Sequence, residues 1–371
     1  MRTSFRHILP LLLLVAAGCE ETIDIEIEDQ EPLLVLNAQL SSDRTQHTVF
    51  LSLSTVSSVT AVKGADVKVS INGAAPVKAV EQAEKTDEWN YRNYTGYLFE
   101  AELHPGDKVQ LSASKDSRSA SCEVTLPPRI NLMSADTSRV QVRTYENYTE
   151  ESFQLKVDFQ DPEEENYYRF SCVLESDVIT TMKGGETFLH PQHRTLRLDT
   201  SNDPVISEGL STGSDNALSF FKVDNSYAVF SDELFRGSRR TFRFSISPYA
   251  LEDLIFPAVS ADDPDWDWDQ VSLIRSTHRR LGVMLYSLDY VTYRYLKSLN
   301  NMETFGYEQQ ILIEPTTLPS NVEGGTGFVG AYMASEIIWF DLPDILTPID
   351  QEEEEPGQPE GTENEGYTYE D

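Results

Sequence analysis

The stretch "EPLLVLNAQLSSDRTQHTVFLSLS", residues 31–54, decides the fold. In "EPLLVLNAQL" and again in "HTVFLSLS" apolar residues alternate with others at a period of two, as in a strand with one buried face. The small polar cluster between the two runs is a turn signal. The alternation returns in "ADVKVSIN" (65–72), "YTGYLFEAEL" (94–103), "DKVQLSAS" (107–114) and "SASCEVTLPP" (119–128). Asn72-Gly73 and Pro105-Gly106 mark tight reversals between runs. With no long helical period before Pro127-Pro128, this spacing predicts an immunoglobulin-like antiparallel β-sandwich over residues 31–128.

Beyond the proline pair the chain stays rich in strand patterns, among them "SFQLKVDFQD", "NYYRFSCVLES", "RRTFRFSISP", "RLGVMLYSL" and "SEIIWFDLP". The expectation is a mainly β protein in which a larger β-rich domain, residues 129–346, follows the sandwich and carries one or two short helices. One helix is expected near 288–300, with Ser287 as cap, Asp289 in the first turn and Lys297 near the last. Tyr290, Tyr293 and Leu296 would share its inner face. "SDELFRG", residues 231–237, is the second candidate helix.

The N-terminus gives an address. Arg2 and Arg6 precede an apolar run from Ile8 to Ala17, shorter than the roughly 20 residues that span a bilayer as a helix and suited to a signal segment. Ala16-Ala17-Gly18-Cys19 looks like a bacterial lipobox, although Ala16 stands where Leu is usual. Residues 1–18 therefore read as a lipoprotein signal peptide and Cys19 as the lipidation site. Acyl chains there would hold the protein to the outer membrane. Glu20, Glu21 and Asp24 make residues 19–30 an acidic tether that stands off anionic headgroups, and favour exposure at the cell surface. The tail, residues 347–371, contains "DQEEEEPGQPEGTENEGYTYED" and reads as disordered. With 29 Lys and Arg against 62 Asp and Glu, the net charge of −33 argues against nucleic acid as a partner.

Taken in order, "CEETIDIEIEDQEPLLVLNA", "VKGADVKVSING", "FQDPEEENYYRF", "SDELFRGSRRTFRFSI", "YSLDYVTYRYLKSLNN" and "NVEGGTGFVGAY" resemble the Bacteroidota lipoproteins grouped as domain of unknown function 4249. The last two segments are the most specific. The resemblance implies a signal peptide, lipid at Cys19 and association with TonB-dependent outer-membrane receptors. It supplies no catalytic residues.

Several local patterns mimic chemistry. "GTGFVG", Gly325–Gly330, fits a dinucleotide-binding pattern, but strands rather than a strand and a helix flank it, so a glycine-bearing turn is the better reading. "GLSTG" around Ser211 mimics a nucleophile elbow without the strand–turn–helix context. His190 and His193 in "HPQH" fall short of the three or four ligands zinc needs. In "DDPDWDWDQ" the carboxylates of Asp265, Asp267 and Asp269 match the first ligand spacings of a calcium loop. Gln270 and Ser276 break the rest of that pattern, so they remain weak calcium candidates and no metal is expected. Trp266 and Trp268 would share one face of an extended segment, a candidate surface for a sugar ring or a partner protein. Cys122 and Cys172 fall in different predicted domains, which favours buried free thiols over a disulfide.

The functional expectation is a surface-exposed outer-membrane lipoprotein that acts as a non-catalytic binding or accessory module, with a TonB-dependent receptor in nutrient uptake. Beyond the covalent lipid no cofactor is expected, and the ligand stays unread. A surface hydrolase of polysaccharide or peptide and a purely structural envelope lipoprotein are the competing readings.

Overall fold

A computed structural model describes residues 31–55, 58–82, 94–144, 149–200, 203–206, 225–252, 270–305 and 318–348. In β1 (Leu33–Ser41) the buried positions are Leu34, Leu36, Ala38 and Leu40, and β2 (Gln46–Ser54) answers with Val49 and Leu51. The two strands form the expected antiparallel hairpin, Leu36 opposite Leu51. The first part of the chain continues with β3 (Val59–Ala61), β4 (Asp66–Ile71), β5 (Val77–Lys78), β6 (Val80–Glu81), β7 (Thr95–Glu100), β8 (Lys108–Lys115) and β9 (Arg118–Thr125). A four-stranded sheet in the order β5-β4-β8-β9 packs against the sheet that holds β1, β2 and β7. Val67, Leu111 and Val124 meet Leu36, Leu51 and Tyr97 in this core. Each such fully buried side chain contributes roughly 1.5–3 kcal/mol.

The second part comprises β10 (Leu132–Thr144), β11 (Thr149–Gln160), β12 (Tyr167–Met182), β13 (Thr187–Leu196), β14 (Val229–Ser231), β15 (Arg239–Ile246), α1 (Pro248–Glu252), β16 (Val271–Leu288), α2 (Tyr290–Phe305), β17 (Val329–Ala334), β18 (Ile338–Asp341) and β19 (Ile345–Pro348). The protein is thus mainly β, with two helices among the described residues. A three-stranded sheet, β10-β11-β15, covers β12 and β16 over an aromatic core. Phe159 stacks on Phe242 at 5.4 Å and 8° and meets Tyr168 edge to face at 5.1 Å.

One twelve-stranded sheet runs through both parts, its main path being β13-β12-β16-β17-β1-β2-β7-β6. The join is β17, which pairs parallel with β1 and antiparallel with β16. Val329, Ala331 and Met333 of β17 lie in the first core. Pro127-Pro128 therefore separates two hydrophobic cores but not two sheets, and the sandwich expected within 31–128 is completed by a strand some two hundred residues later.

Three local expectations need correction. The helix extends to Phe305, and its cap is Asp289, whose Oδ1 accepts the Thr292 N–H at 2.7 Å. Ser287 cannot cap, because it is still in β16, buried and paired with Tyr168 and Met333. "SDELFRG" forms turns rather than a helix. Phe235 is drawn into the aromatic core, Asp232 turns inward to accept the Asn166 N–H at 2.8 Å, and Gly237 ends the segment at φ +69°. Finally, β19 carries regular structure two residues past the expected boundary at 346. Tyr293 and Leu296 do face inward, and Tyr290 and Tyr293 both meet the ring of Tyr167.

Candidate functional site

The outward-facing residues of β1 and β2 form the floor of two adjoining hollows of about 580 and 330 Å3, which share Asn37, Phe50, Tyr295 and Phe328. The alternation that buries Leu36 and Leu51 turns Asn37, Thr48 and Phe50 to the other side of the sheet. Helix α2 supplies one wall through Tyr295, which stacks on Phe328 at 4.0 Å and 10°. Phe50 meets Tyr94 edge to face at 4.9 Å, and both rings are partly exposed, 37% and 39%. Among the described residues no Asp or Glu lines either hollow, and Arg44 is the one charged residue of the lining. Arg44 lies 3.6 Å from Asp43 and Gln46 donates to Glu100 at 3.1 Å, so the nearby carboxylates are engaged at one end.

The glycine segment builds the other wall. Residues 321–328 form a strap from β9 to β1: Glu323 and Ser121 exchange backbone hydrogen bonds at 2.8 and 2.9 Å, Thr326 N–H donates to Leu34 at 2.9 Å, and Ala38 N–H donates to Phe328 at 2.9 Å. A Cβ on Gly325 would sit 2.4 Å from the Leu34 carbonyl, and one on Gly327, at φ +123°, 2.3 Å from the Leu36 carbonyl. Glycine is needed here for backbone approach, not for a phosphate. The segment bends at Gly324-Gly325 between the bridges at Glu323 and Thr326 and then leads into β17, and no helix follows to bind a pyrophosphate. Asn37 locks it by accepting the Phe328 N–H at 2.8 Å.

A second, polar cleft of about 690 Å3 lies over β12, β13 and β16. Here the register of β12 and β16 slips between Glu175 and Asp177, and His278 takes a left-handed φ of +50° at the resulting bulge. Glu175 accepts from Arg280 at 2.7 Å and lies 3.1 Å from His193; Asp177 lies 3.0 Å from His278. Partial burial acts to raise the Glu175 pKa, but the bonds from Arg280 and His193 outweigh it and hold the carboxyl below its ordinary value. Arg280 also lies over the Trp339 ring at 4.1 Å.

The sequence-predicted residues are scattered. His193 pairs across the strands with Glu175 but His190 with Val178, so the two imidazoles lie on opposite faces of β13 and cannot share an ion. Among the described residues no group of three or more His, Cys, Asp or Glu is placed to hold a metal. Cys122 lies in the first core and Cys172 in the second, both as free thiols. Burial pushes Cys122 up to about 12 and raises Cys172 still further. Cys19, Ser211, Trp266, Trp268, Asp265, Asp267 and Asp269 lie outside the described residues. Sequence reasoning missed the groove itself, because period-two alternation assigns its floor simply to solvent.

Comparison with known proteins adds a family and little else. No curated protein matches the chain. A DUF4785 family protein from Legionella pneumophila is 9% identical, with 69% of this chain and 52% of that one covered and a TM-score of 0.20, so the chain spans about half its length. The BSP domain of a biofilm associated protein is 8% identical over 84% of this chain and 59% of that one, with a TM-score of 0.16. Likenesses of that order carry no argument about fold or role. The family described as domain of unknown function DUF4249 matches residues 20–338, through β1, α2 and the glycine strap alike. The chain belongs to the DUF4249 family.

Proposed function

We propose that this protein is a surface-exposed outer-membrane lipoprotein, anchored through Cys19, that serves as a non-catalytic binding or accessory module beside a TonB-dependent receptor in nutrient uptake. The observation that supports it best is an aromatic groove, without a carboxylate among its described lining residues, on a strongly acidic chain. Open concave surfaces with a few placed polar groups and aromatic walls suit ligand capture. The signal segment, the thiol at Cys19 and the acidic residues after it support the anchored, outward-facing placement.

The test is isolation of the lipidated protein from detergent-solubilised outer membranes. The reading expects a TonB-dependent receptor in reproducible stoichiometry and no turnover on panels of glycans and peptides. Repeated isolation without a receptor contradicts the accessory role. Turnover lost on changing Glu175 or Asp177 would move the assignment to a hydrolase acting in the polar cleft.

A further inference from the structure

Resting on that reading, and deepening it, we infer that the groove between β1, β2 and Tyr295 of α2 binds an uncharged oligosaccharide. The backbone excludes one common alternative. β1 is hydrogen-bonded on both sides, to β2 and β17, and β2 on both sides, to β1 and β7. Neither floor strand offers a free ladder edge, and the one open edge at the rim among the described residues is the three-residue β3, paired only with β2, so an extended peptide cannot add itself to β1 or β2 and recognition on the floor falls to side chains.

Arg44 apart, the described side chains of the lining are neutral. Asn37 spends its carbonyl oxygen on the Phe328 N–H, which fixes the amide and keeps its nitrogen as a donor. Exposed Gln39 and half-buried Thr48 add an amide and a hydroxyl from the same sheet face. Sugar hydroxyls both donate and accept, and match such a set without a charged partner. The aromatic groups supply the complementary surface. The Tyr295 ring is held flat by its stack on Phe328, and Phe50 and Tyr94 stand partly exposed within the same groove. The C–H faces of pyranose rings pack on such platforms, and the hollows are of the volume that ligand sites occupy.

Charge narrows the class. Among the described lining residues an anionic glycan would meet one cation, Arg44, which is already beside Asp43, within the field of a chain of net charge −33. A cationic ligand would find no carboxylate among the described lining residues. A lipid tail would have to bury Asn37, Gln39 and Thr48 unpaired.

The test uses the full-length lipidated protein purified in detergent, run by affinity electrophoresis through gels containing neutral mannan, dextran, laminarin, galactan or xylan, with polygalacturonate as the charged counterpart and a neutral Ser/Asn-rich peptide as a second probe. Hexasaccharides of any retarding polymer are then titrated calorimetrically. The expected result is binding to at least one neutral glycan, weakened tenfold or more in Phe50→Ala and in Thr48→Glu. Glu175→Gln, in the separate cleft, leaves it unchanged. Phe50 and Thr48 face outward, and retained melting temperature in both variants separates lost binding from lost folding. Binding to no neutral glycan, binding unaffected by both groove variants, or preference for polygalacturonate or the peptide overturns the inference. Glycan binding without a copurifying receptor would sink the accessory role and leave this ligand class standing; a receptor without glycan binding would do the reverse.

Discussion

Replacing Gly325 with Ala tests whether the glycine strap holds the first sandwich closed. The new Cβ would lie 2.4 Å from the Leu34 carbonyl oxygen and 2.9 Å from the Ala120 Cβ, whereas ordinary contact begins at 3.4 Å. Strap and β1 must therefore separate by the difference, and the pair of 2.9 Å hydrogen bonds that Thr326 shares with Leu34 and Leu36 is the first thing to stretch. Two such bonds contribute about 1 kcal/mol each, and forced overpacking costs about 1–3 kcal/mol, giving a loss of about 3–5 kcal/mol. For a chain of this size that lowers the melting temperature by roughly 4–7 °C. The assay is thermal unfolding of the lipidated protein in detergent, with two glycine controls. Gly73→Ala, at φ +73° with nothing within 4 Å, should cost only the backbone term, about 1 kcal/mol. Gly184→Ala meets open space at an ordinary φ and should be neutral. A Gly325→Ala protein that melts with the Gly184→Ala control refutes the reasoning.

Three further outcomes follow from particular residues. Burial pushes the Asp289 carboxyl above its ordinary pKa despite its hydrogen bonds to Thr292, so the folded state prefers the protonated form and stability falls as pH rises from about 3.8 through the raised value. Asp289→Asn, which keeps the cap, should flatten that slope and match or exceed the parent at pH 7, while Asp289→Ala should lose about 1 kcal/mol in denaturant titrations; an Asn variant weaker than the Ala variant would count against this account. Cys122 and Cys172 should resist a disulfide thiol reagent in the native protein and react fully in denaturant, and the proposed lipid on Cys19 predicts two titrating thiols per chain; a third titrating thiol contradicts the lipid assignment. A fragment of residues 31–128 lacks Val329, Ala331 and Met333 and the parallel partner of β1, and should show no cooperative melting by circular dichroism; a transition as sharp as that of the whole chain would mean β17 is dispensable.

The strands of the first sandwich were legible because alternation is a local signal: Leu34, Leu36, Leu40 and Leu51 announce their face without reference to anything distant. The partnership of β1 with β17 was not, since "VGAYMA" is six residues whose pairing depends on tertiary contact rather than propensity. The glycines of the strap read as turn residues for the same reason, because the carbonyls of Leu34 and Leu36 that require them are distant in sequence. Ser287 reads as the cap and Asp289 as a first-turn residue, but β16 holds Ser287 and Leu288 in the sheet, so the helix starts later and Asp289 becomes its cap. The groove left one faint trace. The outward positions Asn37, Gln39, Thr48 and Ser52 are uniformly neutral in a chain where acids dominate the surface composition. That neutrality becomes informative once Tyr295 and Phe328, brought from the far end of the chain, are seen beside them.

The proposed placement of the groove at the cell surface depends on the chemistry of one sulfur. Mass spectrometry of the N-terminal peptide of the protein extracted from outer membranes measures it directly. The account predicts a chain beginning at Cys19, with diacylglycerol in thioether linkage and an acylated amine. A peptide with Cys19 unmodified, or one that still carries residues 1–18, would contradict it.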